Sequence, residues 1–264
     1  MGGVRKFIID IKRVGKKEIK AVSYEKLERL KKIRAIIFDM DDLMINSHPR
    51  HMEVFEKVLN KHGASLHDPQ NPLAIKEEAK MFGRSIKNVF AEFHTKYNLP
   101  QTVTVDDLNK EFNENLLPVF DEMVDPMPYL QELIYFFKKN NYQLILASSA
   151  KSKKIEIVLK KLKLEAVFTT IVSGEDDVEQ SKPAPDIFLK AAGKAGVDPK
   201  VCAVLEDAKN GIEAANAAGM ISLGIHNRFT KEKLGIRQNL HEAFLQLESL
   251  ENVEILFQKI LNSK

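Results

Sequence analysis

The chain has 264 residues, 44% of them apolar and 29% charged, a balance that marks a globular protein rather than a disordered one and leaves room for one large domain or a domain with an insertion. No apolar run approaches the length of a membrane span, and Met1 to Lys20 lack the apolar centre of a signal peptide, so the expected location is cytoplasmic with no membrane partner. The single cysteine, Cys202, excludes an internal disulfide and a cysteine metal cluster, and its setting in "VCAVLE" reads as a buried strand residue.

The net charge of +3 is unevenly spread. Residues 1–33 hold eleven Lys/Arg and four Asp/Glu, a balance of +7, which leaves −4 for the rest. Such a basic segment suits an anionic partner or a solvated extension. It contains only Phe7 and Tyr24 as aromatics, without the interleaving that stacks bases, so a solvated extension over 1–32 is expected and nucleic acid is not. "FIIDIKRVGKKEIKAVS" alternates apolar and polar residues around Gly15, the pattern of a small hairpin. "YEKLERLKKI" then sets Leu27 and Leu30 at helical spacing.

From Ile33 the rhythm is of short, nearly continuous apolar runs separated by helical patterns. "IRAIIFD", "YQLILASS" (142–149), "TTIVSG" (169–174), "VCAVLED" (201–207) and "MISLGI" (220–225) read as strands buried on both faces. "KSKKIEIVLKKLKL" carries Ile155, Val158, Leu159 and Leu162 on one stripe, and "APDIFLKAAGKAG" and "KNGIEAANAAGM" follow. This alternation predicts an α/β fold, a Rossmann-like parallel sheet wound by helical crossovers. Between Ser47 and about Asp125 good strands are absent. "HMEVFEKVLNKHG", "SIKNVFAEFHTKYN" and "VDDLNKEFNENLL" are amphipathic helices there, with "DPQNP" and "DPMP" as breakers. The expected organisation is a core over 33–46 and 126–264, with a helical cap over 47–125 inserted after the first core strand. The Phe-rich patches at 90–93 and 136–137 read as core.

In open parallel sheets ligands bind beyond the carboxyl ends of the strands. Four strand ends here lead into polar groups: Asp39-x-Asp41, Ser148-Ser149, Gly174 followed by "SKPAPD" with Lys182, and Glu206-Asp207. Each alone reads as a turn, a cap or a surface residue. Together they form clustered carboxylates with a hydroxyl and a cation. Clustered carboxylates raise one another's pKa unless a cation joins them, and an all-oxygen set favours Mg²⁺ together with a phosphate oxygen. One aspartate could then attack phosphorus and the other move a proton, while Ser148 and Lys182 hold the phosphoryl oxygens. His48 and His51, three residues apart, lack a third ligand at matching spacing and read as cap-helix polar residues rather than a zinc site.

"FDMDDLMINS", "LASS", "SKPAPDIF" and "VLEDAKNGIEAANAAGM" resemble the four motifs of the haloacid dehalogenase-like hydrolases, most nearly the β-phosphoglucomutase-like phosphatase branch with a helical cap. The resemblance covers about residues 33 to 250. It implies a catalytic set of Asp39 as nucleophile, Asp41 as general acid and base, Ser148 and Lys182. It also implies Mg²⁺ held by Asp39, Asp41, Glu206 and Asp207, and substrate contacts from Ser149, Arg84 in the Gly83-Arg84-Ser85 segment, and His51. The expected substrate is a small phosphorylated metabolite such as a sugar phosphate, acted on by a monomer.

Two positions depart from the family pattern near the nucleophile: Asp42 stands where glycine is usual, and Asn46 replaces a common aspartate. Two more separate phosphatase from mutase. Ala150 stands where the mutase has a serine, and the mutase's cap lysine aligns near Asn115, with Lys110 a turn and a half away. Hydrolysis is the leading expectation. A phosphosugar mutase and a non-catalytic binding protein on the same fold are the alternatives.

Overall fold

The computed structural model describes residues 6–13, 16–65, 84–227 and 239–263. The turn at Gly15, the "DPQNP" breaker and Gly83 lie outside the described residues. Strands β1 (Lys6–Arg13) and β2 (Lys16–Ser23) pair antiparallel as a hairpin. Helix α1 (Tyr24–Lys31) follows, begun by Ser23, whose Oγ accepts the Lys26 N–H at 3.3 Å. Helix α1 is not solvated in the way its charge suggests. Leu27 and Leu30 are buried in the main apolar core beside Ile33 and Val22. Lys26 donates to the Phe244 carbonyl at 2.5 Å, and Lys26 and Arg29 both lie over the Phe244 ring. Two of the basic residues therefore fasten α1 to the body of the protein.

The main sheet has six parallel strands among the described residues, in the order β5-β4-β3-β6-β7-β8. They are β3 (Ala35–Phe38), β4 (Gln143–Ser148), β5 (Thr170–Ser173), β6 (Cys202–Glu206), β7 (Ile221–Ile225) and β8 (Leu245–Leu247). Every residue of β3, β6 and β7 is buried, as continuous apolar runs require when both faces are covered. Alternation along β3 divides the core. Ala35 and Ile37 join the smaller cluster, with α7 (Asp186–Ala195) and α8 (Lys209–Ala217). Ile36 and Phe38 join the larger one, with α1, α5 (Leu130–Lys139), α6 (Ser152–Leu162) and α9 (Leu250–Asn262). No helix among the described residues is long and apolar enough to cross a membrane.

Between β3 and β4 the chain builds the helical cap from α2 (His48–Lys61), α3 (Ile86–Lys96) and α4 (Val105–Glu122). A capping box of Thr104 and Asp107 starts α4. Phe55 of α2 stacks on Phe90 of α3 at 4.6 Å and meets Phe112 of α4 edge-on at 6.4 Å. The outgoing and returning connections run side by side: Asn46 N–H donates to the Asp125 carbonyl and Met127 N–H to that of Met44. Asn46 therefore contributes backbone here whatever its side chain lacks.

Asp42 explains itself at this junction. Its φ is 61°, the left-handed region where glycine is usual. Its Oδ1 accepts the N–H groups of Ser47 at 3.1 Å and His48 at 2.9 Å, while the Asn227 amide donates to its carbonyl at 3.0 Å. Ser47 makes no side-chain cap for α2, so Asp42, five residues upstream, supplies the acceptor that this helix start needs.

Two predictions test this arrangement. Leu30→Ala is expected to cost about 2–5 kcal/mol in chemical unfolding, as for a buried core leucine; a loss below about 0.5 kcal/mol, the level of a surface change, would return residues 1–32 to a solvated extension. At Asp42, Ala and Gly both lose the cap and the buried carboxylate, but only Ala keeps the left-handed strain. Asp42→Ala should therefore be less stable than Asp42→Gly by about 1 kcal/mol.

Candidate active site

The residues expected to act together stand at the carboxyl ends of the adjacent strands β4, β3 and β6, where the chain order reverses direction across the sheet. Asp39 follows β3 directly, its N–H still paired to the Leu205 carbonyl at 3.1 Å. Glu206 ends β6 and Asp207 follows it. Lys182 reaches this point from the loop between β5 and α7. Its Nζ donates to Asp39 Oδ1 at 2.6 Å and to Glu206 Oε1 at 2.7 Å. Phe188 lies beneath, with its ring centroid 5.0 Å from the ammonium. Glu206 is held at its other oxygen as well, where Oε2 accepts the Ala208 N–H at 2.8 Å. Gly211 on α8 makes this approach feasible, since a Cβ there would lie 1.7 Å from Glu206 Oε1.

Negative charge outweighs positive at this point. Burial pushes the Asp39 carboxyl up to about 7; Lys182 pulls against that shift, and Glu206 and Asp41 add to it. Asp207 is pushed well above the ordinary aspartate range by burial first, then by Glu206, Asp42 and Asp39. Burial would lower the Lys182 ammonium, but Asp39 and Glu206 outweigh it and raise the pKa instead. Lys182 thus pairs with Asp39 and Glu206, and Asp207 is buried near them.

Asp41 has a separate environment. Lys154, from the first turn of α6, donates to Asp41 Oδ1 at 2.5 Å and meets His51 Nε2 at 2.8 Å. Burial would raise Asp41; the Lys154 charge overcomes it and holds the carboxyl down at about 2. His51 is depressed to about 3 by burial and then by Lys154. An ammonium only donates, so the neutral His51 ring accepts at Nε2 and carries its proton on Nδ1.

Ser149, Arg84 and His51 line the cavity between sheet and cap together with Asp39, Asp41, Lys182, Glu206 and Asp207. Ser148 is buried at the end of β4, where its Oγ accepts the Ala150 N–H at 3.2 Å. Arg84 pairs with Glu92 at 2.7 Å on the cap. His48, Asn113, Lys154 and Glu175 also line the cavity, and of these only His48 stands out in the sequence. Lys154 has a legible signal: it precedes Val158 by four, which puts it on the buried stripe of an otherwise lysine-rich helix. Among the described residues no three His, Cys, Asp or Glu side chains form a closed metal cage. Mg²⁺ does not require one, since it takes one or two carboxylates and keeps its waters. Asp39 and Asp207, both raised by burial and then by neighbouring carboxylates, would suit such an ion.

The pattern of the haloacid dehalogenase-like hydrolases matches residues 36–225. The "Phosphorylated carbohydrates phosphatase" of Thermotoga maritima is 27% identical over 71% of this chain and 82% of its own length. The "Fructose-1-phosphate phosphatase YqaB" of Escherichia coli is 29% identical over 72% and 95%. The "Probable pseudouridine-5'-phosphatase" of Drosophila melanogaster is 31% identical over 72% and 80%. Among solved structures, β-phosphoglucomutase from Clostridium difficile superposes with a TM-score of 0.72 at 26% identity, covering 88% of this chain and 98% of that one. With the strand-end carboxylates, the buried lysine and the inserted cap in place, the chain belongs to the haloacid dehalogenase-like hydrolases, in their phosphatase branch.

Proposed function

We propose that the protein is a Mg²⁺-dependent phosphatase that hydrolyses a small phosphorylated metabolite, a sugar phosphate first among the candidates, through a phosphoaspartyl intermediate on Asp39. The observation that carries this reading is the Asp39 carboxylate at the end of the central strand, gripped at 2.6 Å by buried Lys182. The phosphorylated carbohydrates phosphatase and the fructose-1-phosphate phosphatase among the relatives support the sugar phosphate. We further propose the cap boundaries at 47 and 125.

Lys182 holds Asp39 Oδ1, so attack on phosphorus falls to Oδ2. The new Asp39 oxygen–phosphorus bond forms as the ester bond breaks, and the leaving oxygen takes a proton from Asp41. In the second half Asp41 takes a proton from water, whose oxygen attacks phosphorus, breaks the bond to Asp39 and releases inorganic phosphate. Asp41 is a carboxylate beside Lys154, the form suited to the second half; to act in the first, it must take up a proton on Oδ2 while Lys154 keeps Oδ1. Lys182 and Ser148 would bind the phosphoryl oxygens, with Ser149 beside them on the cavity wall, and the cap would exclude water. Mg²⁺, held by Asp39, Asp207 and the Asp41 backbone carbonyl, would supply neutralisation of charge on the phosphoryl group. Both Glu206 oxygens already have partners, which supports a role in holding Lys182 behind that set.

The direct test is phosphate release from a panel of phosphorylated metabolites, with and without Mg²⁺, comparing the native protein with Asp39→Asn. The expected result is Mg²⁺-dependent release, reduced on the order of 10³-fold or more in the variant. Conversion of glucose 1-phosphate to glucose 6-phosphate would instead support a mutase, and no turnover a binding role. A second prediction follows from the raised carboxylates. Asp39 at about 7 and Asp42 at about 6, with Asp207 also raised, hold protons more tightly folded than unfolded. Their contribution to metal-free stability is therefore most favourable below the unfolded value near 3.8 and is lost as pH rises to about 7. Mg²⁺ competes with those protons, so the rise in Tm it causes should grow between about pH 5.5 and 7.5 and vanish in Asp207→Asn. A pH-independent rise would count against a metal at these carboxylates.

A further inference from the structure

We infer that Lys154 is a positioning residue for Asp41, one that fixes this carboxylate between the core and the seated cap. The inference rests on the reading of Asp41 as the proton-transfer group. Lys154 is 4% exposed. An ammonium buried to that degree is costly unless it is paired and hydrogen-bonded. Its neighbours on α6 meet no such constraint: Lys153 is 68% exposed.

Among the described residues, three groups lie in direct contact with the Lys154 ammonium, and the Glu175 carboxylate also feels its charge. Asp41 Oδ1 is 2.5 Å away, His51 Nε2 is 2.8 Å away, and the Phe120 ring centroid is 4.5 Å away. They come from different parts of the molecule. Asp41 lies on the core loop after β3, whereas His51 belongs to α2 and Phe120 to α4, both cap helices. The two cap groups also meet each other, with ring centroids 5.8 Å apart. Two of the three partners of Lys154 therefore come from the cap, and its grip on Asp41 is complete only when the cap is seated. The base of the device is anchored too. Ser152 N–H, at the start of α6, donates to Asp176 Oδ2 at 2.7 Å, and Ser173 Oγ, at the end of β5, donates to the Ala150 carbonyl at 2.7 Å. The first turn of α6, and with it Lys154, is tied to the end of β5.

A lysine that bound substrate would act through KM. A lysine that places Asp41 acts through kcat and only while Asp41 is present. The test compares native protein, Lys154→Met, Lys154→Arg, Asp41→Asn and the Asp41→Asn/Lys154→Met double variant, using p-nitrophenyl phosphate with Mg²⁺. Lys154→Met should lower kcat by about 10- to 100-fold and Lys154→Arg should recover part of it. KM should stay within about threefold, and the double variant should be no slower than Asp41→Asn alone. Crystal structures of native, Lys154→Met and His51→Leu proteins should show the Asp41 side chain displaced in both variants. An equal further loss in the Asp41→Asn background, a change confined to KM, an unchanged or raised kcat, or an unmoved Asp41 would overturn the inference. If the native protein turns nothing over, or Asp41→Asn matches it, the phosphatase reading or the role of Asp41 fails. The crystallographic comparison then decides the placement of Asp41 by itself, and Lys154→Arg gives the same comparison if Lys154→Met does not fold.

Discussion

The arrangement depends on one electrostatic constraint: Asp39, Glu206 and Asp207 are buried together, and the ammonium of Lys182 pairs with Asp39 and Glu206. Three carboxylates against one cation are unstable as a fully ionised set in a low-dielectric site. The protein meets this partly by raising Asp39 and Asp207 and partly by spending both Glu206 oxygens on fixed donors. Local sequence serves this purpose. Gly211 leaves the space that Glu206 fills, and Gly174 lets its strand end approach Ser149, whose Cα would stand 2.8 Å from any added Cβ. On the proposed reading, such a negative site at the end of a parallel sheet would take a divalent ion and an anionic ester together, because each makes the other's binding less costly.

The two remaining aspartates of the first motif add their charge to this cluster but have hydrogen-bond partners of their own. Asp42 turns away in a left-handed conformation and caps α2. Asp41 turns toward Lys154 and the cap. A run of three carboxylates in four residues is thereby dispersed into three environments, one against the core lysine, one against a second lysine and one against backbone N–H groups. The substitution of aspartate for the usual glycine at position 42 adds charge, yet it gives the cap a helix start that glycine does not provide. Cap placement and acid–base geometry are in this way built from consecutive residues.

Much of this was legible in the sequence because it depends on strand ends. β3, β4, β6 and β7 are short apolar runs, and the polar residues that follow β3, β4 and β6 mark the mouth of the site. What was not legible depends on contacts far apart in the chain. β8 has three residues, too few for any periodicity. Helices α5 and α9 carry clear apolar stripes, such as Leu130, Leu133, Ile134 and Phe137, but the crossover pattern did not require them. The docking of α1 was hidden by its charge, since lysines that anchor on a ring and lysines in water look alike in composition. Lys154 was hidden similarly among Lys151, Lys153, Lys160 and Lys161; its place on the buried stripe sets it apart, but its partner 113 residues away is visible only in the fold.

The cap side of the cavity bears on hydrolysis against transfer. A mutase must hold a second phosphate opposite the first, which asks for cationic or hydroxyl groups on the cap side. Asn115 donates its amide to the Glu111 carbonyl of its own helix, and Lys110 is 76% exposed beside Glu114. Ala150 has no hydroxyl to offer. The cap wall instead presents Met52, Ile86, Phe112 and Leu116, with Asn113 as a neutral polar group. Arg84 is the cap cation that lines the cavity among the described residues, and it is engaged with Glu92 at 2.7 Å. Binding a second phosphate there would have to break that ion pair, whereas a neutral, partly apolar leaving group would leave it intact. On the proposed reading, the same wall that accommodates such a leaving group favours water as the acceptor of the phosphoryl group.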